Sequence, residues 1–323
     1  MKKISIFIFL FCLSCLFASG QVEQIIIPGD LKQQTIITEP VTLRKGYLRS
    51  GIESVFIVVD KMFDGNGSRS YIQNSNVWGK FRGFTLSTQY GLSDKLEISL
   101  KIPYITQQYM VSIKYEEVYH DADSLISFKS KGNGIGDLET GVRFQILEET
   151  SVRPSVTTGL DITIPTGRKN PANIISDLQY DYPPGDGRIA FGINLDLRKT
   201  IYPYSLRLRS YYEYYLKGKK VLEPGEEKTE FKDGDMFKIQ GNFSFHLNDW
   251  IALWNDLSYT RYAKDKKYYD IEVISPVSWS VDYNPVLYFQ IRRIRFLQGV
   301  IIPIFGKNIL SDPIYAFGLQ YTF

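Results

Sequence analysis

Cysteine and histidine are nearly absent from this sequence. Among 323 residues there are two cysteines, Cys12 and Cys15, and two histidines, His120 and His246. Both cysteines fall within the first twenty residues, so a disulfide framework and a thiolate metal site are excluded for the rest of the chain. Since no cluster of cysteine and histidine suggests a metal centre either, we expect neither a metal ion nor a cofactor.

Long apolar runs and a strong net charge are also lacking. Beyond the N-terminus no stretch is apolar for the roughly 18 residues that a membrane helix needs. The formal net charge is +3, which gives no support to nucleic-acid binding. Aromatic residues, by contrast, are abundant, with 23 Tyr and 20 Phe. Tyrosine favours β-structure and suits a membrane–water interface.

Residues 1–20 have the features of a signal peptide. Lys2 and Lys3 precede an apolar core, and small residues occupy the positions before Gln21, which predicts cleavage after Gly20. The alternative is a lipid anchor on Cys15, although the residue three positions earlier is Cys12 where an aliphatic residue is usual. Cleavage removes both cysteines and lowers the net charge to +1, because only two charged residues are lost.

Residues 21–46 show no long alternation of apolar and polar residues. Two interpretations stay open for them. The segment is either a periplasmic tail or a small plug folded into the interior of the domain that follows.

From Tyr47 onward the chain alternates. Polar residues separate Leu96, Ile98, Leu100 and Ile102. This alternation has the two-residue period of a strand with one apolar and one polar face. Before them, the residue types in Gly91 to Asp94 predict a turn, in which Gly91 would adopt a positive φ. About twelve such strands run to Phe323, each near the 9–11 residues that cross a bilayer when tilted.

The connections between these strands alternate between long and short, as in outer-membrane barrels. We therefore predict an all-β fold, a transmembrane antiparallel up-and-down barrel of about 12 strands over residues 47–323. It has short periplasmic turns, long extracellular loops and outer-membrane lipid around it. Closure is required because an open sheet edge in hydrocarbon would leave backbone groups unpaired.

Charged residues within the strands sort onto the polar face. That face is predicted to line the lumen, since Arg or Lys facing mid-bilayer lipid costs roughly 2–4 kcal/mol. The lumen-lining candidates are Glu97, Lys101, Glu139, Arg143, Asp161, Asp196, Arg198, Arg207, Arg209, Glu213, Lys238, Asp256 and Asp282. Among them, Arg198, Arg207 and Arg209 form either an anion-attracting ladder or pairs with Asp196 and Glu213. Pairing is favoured because unpaired buried charge is expensive.

Catalytic arrangements find little support. A barrel hydrolase needs a nucleophile and a histidine near the outer leaflet, but His246 lies on the polar face near a periplasmic turn and His120 lies in a predicted loop. We therefore expect no enzyme and no catalytic residue. Gly132 to Asp137 is glycine-rich like a phosphate-binding loop, yet it opens a strand rather than a helix. Its glycines are expected to ease entry of the chain into that strand.

Three motifs in order resemble one known family over most of residues 47–323. They are Tyr90-Gly-Leu-Ser-Asp-Lys-Leu-Glu-Ile-Ser-Leu-Lys-Ile-Pro-Tyr104, the strand entry Gly134-Ile-Gly-Asp-Leu-Glu-Thr-Gly-Val-Arg-Phe144 and the strand exit Leu160-Asp-Ile-Thr-Ile-Pro-Thr-Gly167. Together they resemble the outer-membrane family named after the MetA pathway of phenol degradation, a transporter-like barrel. The closing Gly318-Leu-Gln-Tyr-Thr-Phe323 resembles the terminal signal that barrel-assembly machinery recognises, with Ala316 at a position that is usually polar.

The resemblance implies uptake of small aromatic compounds. It leads to the hypothesis of an outer-membrane channel or transporter for small, hydrophobic or aromatic molecules. The alternative is a closed structural or surface-interaction barrel without transport, whose loops 64–76, 106–133 and 217–234 contact partners. Strand count does not decide between them, because twelve lies between filled and open barrels.

Overall fold

The structure is a computed structural model that describes residues 42–71, 78–114, 125–171, 174–176, 179–180, 183–221, 228–263, 266–268, 272–274 and 277–323. The predicted signal peptide, Cys15, His120 and residues 21–41 lie outside these ranges. Within them, no helix is long and apolar enough to cross a membrane.

The described residues form twenty-two strands. Twelve build one wall: β1 (Leu48–Val59), β4 (Trp78–Ser93), β5 (Leu96–Lys114), β7 (Leu138–Leu147), β8 (Ser155–Ile164), β11 (Ala190–Ile201), β12 (Tyr204–Tyr215), β15 (Met236–His246), β16 (Ile251–Tyr262), β19 (Ser278–Ile291), β20 (Ile294–Lys307) and β22 (Ile314–Thr322). The others are β2 (Lys61–Phe63), β3 (Arg69–Tyr71), β6 (Leu125–Ile135), β9 (Ile174–Ser176), β10 (Gln179–Tyr180), β13 (Gly218–Lys220), β14 (Thr229–Lys232), β17 (Lys266–Tyr268), β18 (Glu272–Ile274) and β21 (Ile309–Leu310).

The wall closes on itself. Each wall strand pairs with its neighbours in the chain, and β1 pairs with β22, so that the first strand meets the last. In this seam Arg49 lies opposite Thr322 and Ile57 opposite Ile314, in antiparallel register. Closure leaves no open edge in the wall, as hydrocarbon requires. The predicted antiparallel barrel of twelve strands is confirmed.

One wall strand is interrupted. β5 pairs with β7 along its first part and with β6 along its second. The two partners run in the same direction and are separated by Gly136 and Asp137. They therefore act as a single wall strand with a break near the extracellular end.

The outer face of the wall is an apolar belt. Leu160 is 61% exposed, and its neighbours across the two adjacent strands, Val142 and Ile193, are 45% and 50% exposed. Residues that alternate with the belt are hidden, such as Glu97 at 2% and Lys101 at 5%. Because water-soluble proteins rarely expose an apolar surface of this extent, the belt is the lipid-facing surface.

The role predicted for Gly91 was wrong. β4 continues through it to Ser93, and the tight turn consists of Asp94 and Lys95. A side chain at Gly91 would place Cβ 1.9 Å from the backbone oxygen of Arg44. Glycine is needed there because the N-terminal segment passes directly against the strand, and not because a turn demands a positive φ.

Several predicted loops contain strands. The segment predicted as a loop over 106–133 is largely the paired ends of β5 and β6. Others form small sheets, namely β2 with β3 and β21, β9 with β10, and β13 with β14, β17 and β18. These strands lie beyond the apolar belt. The strands of the small sheets are two to four residues long, which is too short to show the alternation of apolar and polar residues that marks the wall strands.

An arginine at Leu160 should destabilise the barrel. Leu160→Arg puts a cation in the middle of the belt, and we expect the free energy of unfolding to fall by about 2–4 kcal/mol. Urea unfolding in lipid vesicles measures the change. Val152→Arg is the matched control, since Val152 is 90% exposed in the turn between β7 and β8 and should tolerate the charge. Equal losses in the two variants would contradict the lipid-facing assignment.

Candidate functional site

The inner face of the barrel gathers the charged strand residues. All thirteen residues predicted to line the lumen are buried or half-buried, on the wall positions that alternate with the belt. They are Glu97, Lys101, Glu139, Arg143, Asp161, Asp196, Arg198, Arg207, Arg209, Glu213, Lys238, Asp256 and Asp282. They fall into three groups: an ion-pair cluster around Asp196, a layer of hydrogen-bonded amides around Asp256, and charged residues that line a cavity.

Asp196 is the centre of the ion-pair cluster. Its side chain is 1% exposed, and it accepts hydrogen bonds from Arg207 and from Nη2 of Arg209, the latter at 2.9 Å. Arg207 Nε also donates to Asp196 Oδ1 at 2.7 Å. Arg198 lies 3.5 Å from Glu149. Three of the cations in this part of the wall therefore have carboxylate partners, and the structure favours pairing over a free anion ladder.

Asp256 is held by neutral groups. Asn242 Nδ2 donates to its Oδ1 at 2.5 Å, and Asn284 Nδ2 donates to its Oδ2 at 3.2 Å. Ser244 donates in turn to Asn242 Oδ1 at 2.6 Å. These contacts connect β15, β16 and β19 across the inner wall. The donors in these contacts to Asp256 are neutral amide groups.

A cavity of about 60 Å³ lies in the extracellular half of the lumen. Its lining combines apolar and charged side chains: Phe81, Thr85, Lys101, Pro103, Ile105, Asp137, Glu139, Thr163, Pro184, Asp186, Arg188, Ala190, Glu213 and Tyr215. This volume holds several water molecules, since one needs roughly 10–15 Å³. In this cavity a small molecule would meet both kinds of surface.

The charges around the cavity are paired. Lys101 Nζ lies 2.7 Å from Glu139 Oε1. Arg188 forms ion pairs with Asp186, at 3.3 Å, and with Asp233. The predicted partner of the basic row, Glu213, instead accepts a hydrogen bond from Tyr215 at 2.7 Å.

Asp137 ties three segments together beside this cavity. Its Oδ1 accepts a hydrogen bond from the backbone N–H of Gly167 at 2.9 Å. Its Oδ2 accepts from the backbone N–H groups of Asp186, at 2.8 Å, and Gly187, at 3.3 Å. A Cβ on Gly167 would lie 2.8 Å from the backbone of Gly136 and 2.9 Å from that of Gly185. The backbones thus touch directly, and glycine is required where they cross.

The glycine-rich stretch 132–137 therefore does more than ease strand entry. It brings Asp137 to the Pro-Thr-Gly segment that follows β8 and to the loop before β11. Parts of two motifs that carry the family resemblance, 134–137 and 164–167, meet at this one point. Their residues position the extracellular loop that forms one side of the cavity.

Loss of the Asp137 carboxylate should free this loop. Asp137→Ala leaves three backbone N–H groups without their acceptor, and each buried unsatisfied group costs about 1–3 kcal/mol. Hydrogen exchange at the amides of Gly167, Asp186 and Gly187 should accelerate. Asp64→Ala is the matched control, because Asp64 similarly accepts from Asn66 and Ser68 in another extracellular turn. Unchanged exchange at the three amides in Asp137→Ala would contradict the role.

The periplasmic end of the lumen contains the chain's own N-terminal segment. Thr42 and Leu43 are both 0% exposed. The backbone N–H of Leu43 donates to Glu97 Oε2 at 2.6 Å, and Thr42 Oγ1 donates to the backbone oxygen of Asp94 at 3.0 Å. Gly46 donates to the Gly91 oxygen at 2.8 Å. Glu97 is thereby assigned a specific partner, which alternation alone did not provide.

Two buried arginines at this end were missed by the sequence interpretation. Arg49 and Arg295 are 1% and 2% exposed. Arg49 Nε donates to Thr322 Oγ1 at 3.1 Å, and Arg295 Nε donates to Gln290 Oε1 at 3.2 Å. The signal for Arg295 was present, because it stands between the outward Ile294 and Phe296. The signal for Arg49 was weak, because alternation is imperfect in the first strand.

His246 lies on the inner face at the periplasmic end of β15, with 1% of its surface exposed. Among the described residues, neither ring nitrogen has a hydrogen-bond partner. A nucleophile activated by this histidine would need such a bond. The structure therefore shows no hydrogen-bonded nucleophile beside His246 among the described residues.

Comparison with known proteins supports the fold. No family model matches the chain, and no curated protein sequence matches it. The COG4313 outer membrane channel from Pseudomonas putida F1 has a similar structure, with a TM-score of 0.61, 13% identity, and coverage of 92% of this chain and 100% of that one. Membership in the MetA-pathway family stays a prediction.

Two further channels show weaker similarity. The CymD monoaromatic hydrocarbon channel has a TM-score of 0.45 at 7% identity, covering 87% of this chain and 88% of that one. The toluene transporter TbuX from Ralstonia pickettii has a TM-score of 0.43 at 8% identity, covering 87% and 90%. Both scores are too low to carry an argument about cargo. What stands is that this chain has the fold of an outer-membrane channel.

Proposed function

We propose that this protein is a narrow outer-membrane channel for small molecules, with residues 42–46 as part of its periplasmic closure. The wall provides the passage, because a closed barrel of twelve strands has an interior wider than the filled barrel of eight. The inner face is polar and carries paired charges, which gives a hydrated route through an apolar membrane.

The observation that carries the proposal is the burial of Thr42 and Leu43 at the periplasmic mouth. Thr42 and Leu43 belong to a segment that precedes the first wall strand, and hydrogen bonds to Glu97 and Asp94 hold them in place. A barrel with a purely structural role needs only wall side chains to fill it. A mouth closed by a separate segment can open without any change in the wall.

The cavity supports a cargo class. Phe81, Ile105, Pro184 and Tyr215 offer apolar contact, while Lys101 and Arg188 offer hydrogen-bond donors beside them. Small molecules with an apolar body and one polar group fit this lining, and small aromatic compounds belong to that class. The cavity of about 60 Å³ is smaller than the roughly 150 Å³ that accommodates benzene, so even a small aromatic compound would require the segment at the mouth or the loop at Asp137 to move.

A closed barrel without transport is the second candidate. The observation that favours it is the density of paired charge inside the lumen, together with the ordered extracellular sheet of β13, β14, β17 and β18. In that case the extracellular strands would be the working surface, and the lumen would serve only stability.

Flux into liposomes distinguishes the two candidates. Purified protein in vesicles should admit small solutes at rates that fall with solute size, and small phenols should enter faster than sugars of equal mass. Vesicles without protein are the control. Flux no greater than in the control, for both the intact chain and a chain without residues 21–46, would favour the barrel without transport.

Export and assembly follow the same proposal. Residues 1–20 act as a cleavable signal peptide, and β22 with Phe323 is the segment that barrel-assembly machinery recognises. The side chain of Phe323 is 56% exposed and lies edge-on to Tyr321 at 4.7 Å between ring centroids. Mass measurement of the mature N-terminus tests cleavage after Gly20 against lipidation of Cys15.

A further inference from the structure

Three basic side chains lie on the outer face of the wall, near its extracellular end. Lys80 and Arg82 are on β4, and Lys131 is on β6, and all three are exposed. Along β4 they share the face of Phe84 and Leu86, which are 47% and 48% exposed in the apolar belt. They therefore point away from the lumen, on the face that otherwise carries the apolar belt.

The strand register places these cations in neighbouring positions. Lys80 lies opposite Gln108, and Gln108 lies opposite Lys131, so one row crosses β4, β5 and β6. Arg82 lies opposite Thr106 in the next row. Since adjacent strands are about 4.8 Å apart, the Cα atoms of Lys80 and Lys131 are separated by roughly 10 Å. The three cations can face a single anionic headgroup.

Their height on the barrel is that of the outer membrane surface. Phe84 lies opposite Tyr104, and Tyr104 lies opposite Ile135. On β4, β5 and β6 these three exposed residues form the last apolar row, while on β1 Phe56 and Val58 lie opposite Arg82 and Lys80. Tyr104 is of the type that marks the interface. Arg82 stands one row beyond it, and Lys80 and Lys131 stand two rows beyond. A cation at this level leaves the hydrocarbon and meets the headgroups.

Arg82 is also oriented by the wall. Its guanidinium carbon lies 5.5 Å from the ring centroid of Phe56, a residue of the neighbouring strand β1. Such a contact fixes the plane of the guanidinium while its remaining N–H groups stay available to an anion. Arginine in this setting binds phosphate through two parallel hydrogen bonds.

We propose that Lys80, Arg82 and Lys131 form a binding site for the phosphate groups of the outer-leaflet glycolipid. The charge, the spacing and the height match a phosphorylated sugar headgroup whose acyl chains lie along the belt below. The proposal rests on the outer-membrane placement of the barrel and does not depend on transport. A negative flux experiment would therefore leave the lipid site standing, and a negative lipid-binding experiment would leave the transport proposal standing.

The test is lipid binding by the folded, purified protein in detergent, followed by native mass spectrometry. The probe is diphosphorylated lipid A, compared with the same lipid after removal of its phosphates. The variant is K80Q/R82Q/K131Q. The matched control is R153Q/R292Q/R293Q, which removes the same charge from three exposed residues at the periplasmic turns. Heat-modifiable mobility on gels confirms that each variant is folded.

We expect the wild type and the control variant to bind the phosphorylated lipid equally. The K80Q/R82Q/K131Q variant should bind it at least about tenfold more weakly, because each basic residue near a membrane surface contributes to anionic-lipid affinity. Equal binding by the two triple variants would overturn the site. Equal binding of the dephosphorylated lipid would show that the acyl chains alone are recognised. Competition by millimolar inorganic phosphate would show a general anion site and overturn the choice of lipid.

Discussion

Removal of residues 21–46 should raise the single-channel conductance several-fold while the barrel stays folded. Thr42 and Leu43 are completely buried at the periplasmic mouth, and the wall begins only at Leu48. The described part of the deleted segment, residues 42–46, therefore occupies space at the mouth of the lumen without contributing a wall strand. Since every wall strand keeps both neighbours after deletion, we expect heat-modifiable mobility to be unchanged.

Planar-bilayer recording of the intact and truncated chains measures this effect. A milder variant, Glu97→Ala, removes the acceptor of the Leu43 N–H, whose bond length is 2.6 Å. It should produce brief openings of larger conductance, because the segment then leaves its position more often. Ser99→Ala is the control, being the next inward residue on the same strand. If the truncated barrel conducts no more than the intact one, residues 42–46 are not part of the closure.

The sequence predicted the wall well because one physical rule determines it. A strand with lipid on one side and polar surroundings on the other must alternate, and Leu96 with Glu97 shows this in neighbouring positions. The structure places Ile98 at 38% exposure and Glu97 at 2%. Both the number of wall strands and the identity of the faces follow from this rule.

The remaining features depend on contacts between distant parts of the chain. Asp137 binds amides that are 30 and 49 residues away in sequence, and a glycine-rich pattern does not say which segments will meet. Gly91 was assigned to a turn, but its role depends on the approach of Arg44. The strands of the small extracellular sheets are two to four residues long, too short for an alternating pattern to reveal them.

Asp196→Ala should be the most destabilising single change within the lumen. The carboxylate is 1% exposed and pairs with both Arg207 and Arg209. Breaking a buried pair by removing one partner costs about 3–5 kcal/mol, because each arginine then keeps its charge in the lumen without this carboxylate. The two arginines are 16% and 14% exposed, and partial hydration should bring the loss to the lower end of that range.

Urea unfolding in lipid vesicles measures this loss, with Asp249→Ala in an exposed periplasmic turn as the control. Replacing all three members of the cluster, as in D196L/R207M/R209M, should recover much of the stability, since a well-packed apolar group tolerates burial that a lone charge does not. In the truncated barrel, Asp196→Ala should also shift the reversal potential toward anions, because two cations then face the passage. A stable Asp196→Ala protein with unchanged selectivity would mean that water and other lumen groups already neutralise the arginines, and that Asp196 is not the centre of the inner charge network.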